Sequence, residues 1–278
     1  MMLFHYSFML PALIFCLLLA GIHTYFGYHI VQRGVIFVDL SLSQIAALGA
    51  SVAILFGWGE QSPTLSFIVS LGFTLAGSVL FAFLRKSQTT APMEALIGIT
   101  YAGAIAISLL VLEKSATGTE HIKEMLVGTI LTVSWRDVYQ MGLLVFIIGL
   151  IHFFIRKKLF LISENPEQAE KQGIKVWWWD IVFYATFGII VTYSVKIAGV
   201  LLIFSLLIIP AIAAMISTAG TGHRVFYGWI FGLIGCIAGL EISMRLDSAA
   251  GPSIITTLIV LLLLCSAVTP LVKKLKNI

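Results

Sequence analysis

Charge is what this sequence has least of. Asp, Glu, Lys and Arg make up 11% of its 278 residues while 59% are hydrophobic, and soluble domains carry roughly a quarter charged residues. A water-soluble globule is therefore excluded. Cysteine is also scarce: Cys16, Cys236 and Cys265 stand singly in apolar runs without C-x-x-C spacing, which argues against a disulfide framework or zinc knuckle and for packing residues. The chain has no G-x-x-x-x-G-K-[ST] loop, no H-E-x-x-H and no G-x-S-x-G, so it lacks the common signatures of nucleotide, zinc-protease and serine-hydrolase chemistry. It is not read as an enzyme. Matching halves of the kind that mark many secondary carriers are absent as well.

What is present is apolar sequence almost end to end. A bilayer core of about 30 Å takes ~20 apolar residues in a helix, and only helices or closed barrels satisfy their backbone there. Runs bounded by charge or Pro/Gly predict spans near 8–30, 35–57, 65–84, 95–112, 138–155, 181–195, 197–216, 225–244 and 253–272. The stretch 181–216 is interrupted only by "YSVKIAG" and contains Pro210, so it reads as two short crossings or as one crossing plus a re-entrant piece. The expectation is an all-α membrane protein, a polytopic bundle of eight or nine transmembrane helices in one domain over 1–278. The first run has no basic segment before it and no small-residue cleavage pattern after it, and is read as a retained span.

Lys and Arg assign the sides. With nine spans and the 156–180 loop inside, 12 of the 17 basic residues lie inside and only Lys114, Lys123, Arg136, Lys196 and Arg245 outside, as the positive-inside rule requires. The net positive charge thus reflects membrane topology rather than nucleic-acid binding. Gly228, Gly232, Gly235 and Gly239 recur at spacings of four, three and four, a small-residue face for close packing within the bundle or at a dimer seam.

The most polar inside segment is "LISENPEQAEKQGIKVWWWD", residues 161–180. Ser163 or Asn165 can cap a short helix, Pro166 suits its first position, Glu167 strengthens the start and Gly173 can end it. Such a helix either docks a soluble partner or is a solvated loop. Here the chain resembles the permease subunits of zinc, manganese and iron ABC importers, whose coupling helix has a carboxylate-rich turn, an Ala and then a Gly; Glu164, Asn165, Pro166, Glu167, Ala169 and Gly173 fall in that segment. "GTILTVSWRDV" (128–138), "KIAGVLLIFSLLIIPAIAA" (196–214) and "LDSAAGP" (246–252) resemble further blocks of that family in the same order. The resemblance implies two permeases forming one path, two copies of a cytoplasmic ATP-binding subunit engaging the coupling helices, and an extracytoplasmic solute-binding protein delivering a divalent metal as substrate. It implies no cofactor on this chain and a place in the bacterial inner membrane.

An ionisable residue inside a span is costly and is a functional candidate by default. Asp39 lies early in the second span with Ser43 four residues on, on the same helical face, and Gln44 to the side. Carboxylate and amide oxygens suit divalent ions, so Asp39 is the candidate metal ligand, with Ser43, Gln44 and Glu94 as further path candidates. Helix capping or an interhelical hydrogen bond is the other role for Asp39, and a helix-start charge the other role for Glu94. The resembling family has an Asp and a His four residues apart here. Counted back from Gly49, Gln44 stands at the His place and Leu40 at the Asp place, so Asp39 comes one residue early. A permease for a metal chelate, siderophore or vitamin, or an ATP-independent secondary carrier, is the alternative reading. Glu241 and Arg245 are spaced for an ion pair, Lys196 is read as snorkelling to the interface, His152 as interfacial or buried, and Glu120, His121 and Glu124 as a solvated outer cluster.

Overall fold

The computed structural model describes residues 9–58, 62–86, 91–113, 128–218 and 220–276, with backbone alone from 270 onward. Among these residues there are ten α-helices, one 3₁₀ turn (Ile130–Thr132) and no strand. The helices are α1 (Met9–Arg33), α2 (Val38–Leu55), α3 (Pro63–Lys86), α4 (Met93–Leu112), α5 (Trp135–Glu164), α6 (Pro166–Lys171), α7 (Val176–Ala198), α8 (Val200–Ser217), α9 (Thr221–Arg245) and α10 (Ala250–Lys276). All but the short α6 are long and apolar enough to cross a membrane, so the described residues hold nine spans.

The ambiguous stretch resolves at a single residue. The helix runs on through "YSVK", and only Gly199 lies outside helical geometry, at φ 79° and ψ 155°. A side chain would be strained at that φ, which is why a glycine makes the break. Pro210, by contrast, sits inside α8 without ending it, because neighbouring helices can accommodate a lost backbone bond in a membrane bundle. The fifth span extends past the expected 155 to Glu164. Beyond the basic run Arg156–Lys158, Leu159 and Ile162 are fully buried, so the helix continues to carry an apolar contact.

The chain packs as two compact units. One takes in the described residues of 1–31, 127–147 and 197–278; the other takes in those of 32–126 and 148–196. In the first, α8, α9 and α10 pack on one another. Its glycine face is internal: a Cβ on Gly228 would lie 2.6 Å from Thr24 and 2.9 Å from the Pro210 carbonyl, and one on Gly239 would collide with the Ile254 backbone. The segment before α5 is held to the α7–α8 junction, with the Thr129 N–H donating to the Ile197 carbonyl at 3.0 Å. A Cβ on Gly128 would collide there with the backbone of Ala198 and Gly199. Two blocks that resembled a family separately are thus one structural feature.

In the second unit α2 packs on α3 and α4, with Leu42 and Ile45 against Gly77. The α3–α7 seam is made of small and hydroxylated residues. Gly188 faces Thr74 and Ser78; Thr192 donates to Thr74 Oγ1 at 2.9 Å, and Ser78 donates to the Tyr184 carbonyl at 2.9 Å. Without water in the hydrocarbon, close van der Waals approach and such interhelical bonds hold helices together.

A Cβ at Gly188 would lie 2.7 Å from Thr74 Cγ2, whereas one at Gly72 meets nothing within 4 Å. Gly188→Leu should therefore destabilise the detergent-solubilised protein by about 1–3 kcal/mol. Gly72→Ala should be neutral or slightly stabilising, and thermal unfolding of the two variants side by side checks the contrast.

Candidate functional site

Helix α2 opens without a side-chain cap: Phe37 occupies the capping position and Asp39 stands in the first turn. Asp39, Ser41 and Ser43 are wholly buried, and Gln44 is 9% exposed. Neither carboxylate oxygen of Asp39 has a hydrogen-bond partner among the described residues, and the hydroxyls of Ser41 and Ser43 have none either. Asp39 therefore takes neither a capping nor an interhelical hydrogen-bonding role there. A buried carboxylate left in this way is expensive unless something outside the chain's own side chains meets it. Asp39 and Ser43 share a face, while five residues of helix turn Gln44 by about 140° from Asp39, so the amide is not brought to the carboxylate along α2.

Glu94, at the start of α4, reaches the turn before α2. Its Oε1 accepts the Ile36 N–H, and no hydrogen bond joins it to Asp39. It anchors the entry to the helix that carries the candidate ligand. Among the described residues no group of three or more His, Cys, Asp or Glu side chains is placed to hold a metal ion. Glu120, His121 and Glu124 lie outside the described residues.

The polar segment forms the short helix expected of it. Asn165, rather than Ser163, is its cap: the Asn165 Oδ1 accepts the Gln168 N–H at 3.0 Å, and Pro166 opens α6. The helix closes with the Gly173 N–H donating to the Glu170 carbonyl at 2.9 Å and the Ile174 N–H to the Ala169 carbonyl at 3.1 Å. Ala169 is fully buried while Glu164 and Glu167 are exposed. One face of α6 is seated on the protein through Ala169, and Glu167 lies on its exposed side. Just beyond it, Lys86 lies 4.8 Å over the Trp177 ring and Lys158 4.5 Å over the Trp179 ring, the basic and aromatic composition of a membrane interface.

Ser163 has a different task. Its hydroxyl accepts the Arg33 Nε–H at 2.9 Å, while Arg33 Nη1 donates to Asp180 Oδ1 at 2.6 Å and Arg85 Nη1 to the same oxygen at 2.8 Å. The side chains of Arg33 and Asp180 are 0% and 2% exposed, and the Arg33 guanidinium stacks 4.0 Å over the Phe183 ring. In the sequence these arginines read only as inside charges, with nothing local to join them. The available signal was Asp180 itself, a carboxylate entering an apolar run and so requiring a partner. The remaining candidates are structural: Glu241 and Arg245 form an exposed ion pair at 2.9 Å, Lys196 lies 5.9 Å over Phe67, and buried His152 bonds Thr186 at 2.8 Å.

Comparison with known proteins agrees with this architecture. The zinc uptake membrane protein ZnuB of Haemophilus influenzae is 25% identical over 250 residues, covering 90% of this chain and 93% of that protein. The manganese import permease ScaB of Streptococcus gordonii is 25% identical over 277 residues, covering 98% and 95%. Among solved structures, PsaBC from Streptococcus pneumoniae in complex with Fab shares the fold at a TM-score of 0.79 and 22% identity, covering 95% of this chain and 92% of that one. The sequence pattern of the ABC 3 transport family matches residues 5–269, nearly the whole of this multi-pass membrane protein, and the chain belongs to that family.

Proposed function

We propose that the chain is the membrane-spanning subunit of a bacterial plasma-membrane importer for a divalent metal ion, zinc, manganese or iron, working by ATP-driven alternating access. The family match supports the permease role, and the relatives' named cargoes support the metal. The observation that carries the metal reading is Asp39, a buried carboxylate with two unpartnered oxygens in the helix that resembles the family's ligand-bearing span. With Ser43 on the same helical face it offers oxygen donors, which suit hard and borderline divalent ions. Two permeases form the path. ATP is hydrolysed by two copies of a cytoplasmic subunit docked on Glu164–Gly173, and an extracytoplasmic solute-binding protein delivers the ion. Gln44 at the usual His place favours one second reading, a chelated metal whose own ligands replace the missing imidazole.

The mechanism follows from where the polar groups stand. Glu94 holds the Ile36 N–H and so fixes the start of α2. Asp39 then attracts a cation by opposing its charge in a medium of low dielectric. Release follows when the bundle shifts between inward- and outward-open populations.

Proteoliposomes containing the chain, its ATPase and its binding protein, given Zn, Mn, Fe, Co and Ni in turn, should accumulate one metal selectively. Asp39→Ala removes a contact worth roughly 1.5–3 kcal/mol, which corresponds to an uptake loss of about 10- to 150-fold. Its thermal midpoint should hold or rise, because an unpartnered buried charge is gone. Accumulation of no bare ion, with ATPase and binding protein both engaged, would move the reading to a chelate.

Glu167→Arg should cut the ATPase recovered on co-purification by about tenfold, the effect of reversing one interfacial charge. The permease's own midpoint should not move, since Glu167 is exposed. Unchanged ATPase recovery and uptake would reject the docking role of α6.

A further inference from the structure

The cluster of Arg33, Arg85 and Asp180 remains unexplained by transport chemistry or by packing. Two guanidiniums meet one carboxylate, leaving an excess positive charge in a nearly dry site. Buried ion groups of this kind rarely add stability over apolar residues of the same volume. What they do add is direction, because charge-assisted hydrogen bonds to one oxygen fix both the distance and the angle between the groups they join.

The joined groups are informative. The chain enters α6 through Ser163 and leaves it towards Asp180, and a single buried side chain, Arg33, holds both. Arg33 is the last residue of α1. The turn after it contains Val35, which is 1% exposed, and Ile36, whose N–H is held by Glu94. Val38 follows, also fully buried, and then Asp39. From α6 to Asp39 the hydrogen-bonded or buried groups Ser163, Asp180, Arg33, Val35, Ile36 and Val38 lie within one compact unit, with Gly34 and Phe37 the exposed residues of the turn. Arg85 adds the end of α3 and is the arm that water reaches, its side chain being 19% exposed.

We propose that Asp180, clamped by Arg33 and Arg85, is a positioning residue that makes the ends of α1, α3, α5 and α7 move as one body with α6, so that a displacement of α6 reaches the turn carrying Asp39. The proposal rests on the reading of α6 as the helix that engages the ATPase. A rigid link between two sites acts only if both bias the same two-state element, and here that element is the entry to α2. Asp180 touches neither substrate nor nucleotide; its work is to keep the applied motion from dissipating as independent helix rocking.

The test uses the full complex in proteoliposomes with the metal selected in the uptake panel, reading four quantities: ATPase recovered, basal ATP turnover, thermal midpoint, and metal imported per ATP hydrolysed. Asp180→Asn should retain the ATPase and its basal turnover while metal per ATP falls by about tenfold or more, as expected for a lost inter-site coupling. The triple variant Arg33→Met, Arg85→Met and Asp180→Leu, which removes all three charges of the cluster, should regain the wild-type midpoint without regaining metal per ATP. If it regains both, or if Asp180→Asn imports normally, the cluster is only structural and the proposal falls. Should Asp180→Asn not assemble, Arg85→Gln at the water-exposed arm gives the same reading, with normal metal per ATP counting against the proposal. Glu167→Arg run alongside separates the two ideas. ATPase lost in Glu167→Arg with Asp180→Asn fully coupled overturns the cluster alone; ATPase and uptake retained in Glu167→Arg overturn both.

Discussion

Inside a bilayer there is no solvent to receive a polar group that the fold leaves over, and most of this structure follows from that constraint. Hydroxyls in the spans turn back on their own helices: Ser70 to Ser66, Thr74 to Ser70, Ser78 to Thr74, Thr192 to Gly188. Helices approach through glycine because lipid competes equally well for bulky apolar side chains, so only intimate contact favours protein over lipid. The charges of Arg33, Arg85 and Asp180 meet where three helix ends converge. Against that background Asp39 is an exception. Asp180, Glu94 and Glu241 each have a partner on the same chain through at least one oxygen, whereas neither oxygen of Asp39 does among the described residues. A buried carboxylate with both oxygens unpartnered costs free energy, and function is the usual reason for such a departure.

How much of this was readable beforehand depends on how local each cause is. Span positions were readable because hydropathy over ~20 residues is a property of the run itself. The α6 helix was readable because Asn165, Pro166 and Gly173 act within one or two turns of where they stand. The choice between eight and nine spans was not, since it turns on one backbone angle at Gly199, and Pro210 nearby is the louder but misleading signal. The length of α5 was misjudged because a basic triplet reads as a boundary, whereas Leu159 and Ile162 carry the helix on into a buried contact.

The candidate site divides in the same way. Asp39 stood out as a lone carboxylate in an apolar run, and its isolation could be anticipated, if not its lack of any partner. The bonds from Arg33 and Arg85 to Asp180 span 147 and 95 residues, and no local pattern encodes a meeting of that kind. Glu94 illustrates the middle case: its place at a helix start was legible, but the group it holds, the Ile36 N–H, belongs to another turn brought in by tertiary packing.

The seam between α3 and α7 has a consequence for how the protein meets its surroundings. Thr74, Ser78 and Thr192 bind the two helices through hydroxyls and a carbonyl, groups that neither gain nor lose a proton in any environment a bacterium inhabits and that salt does not screen. The contact is therefore the same in acid, in alkali, in brine and in fresh water. Sensitivity of transport to external acidity or ionic strength does not originate in this seam.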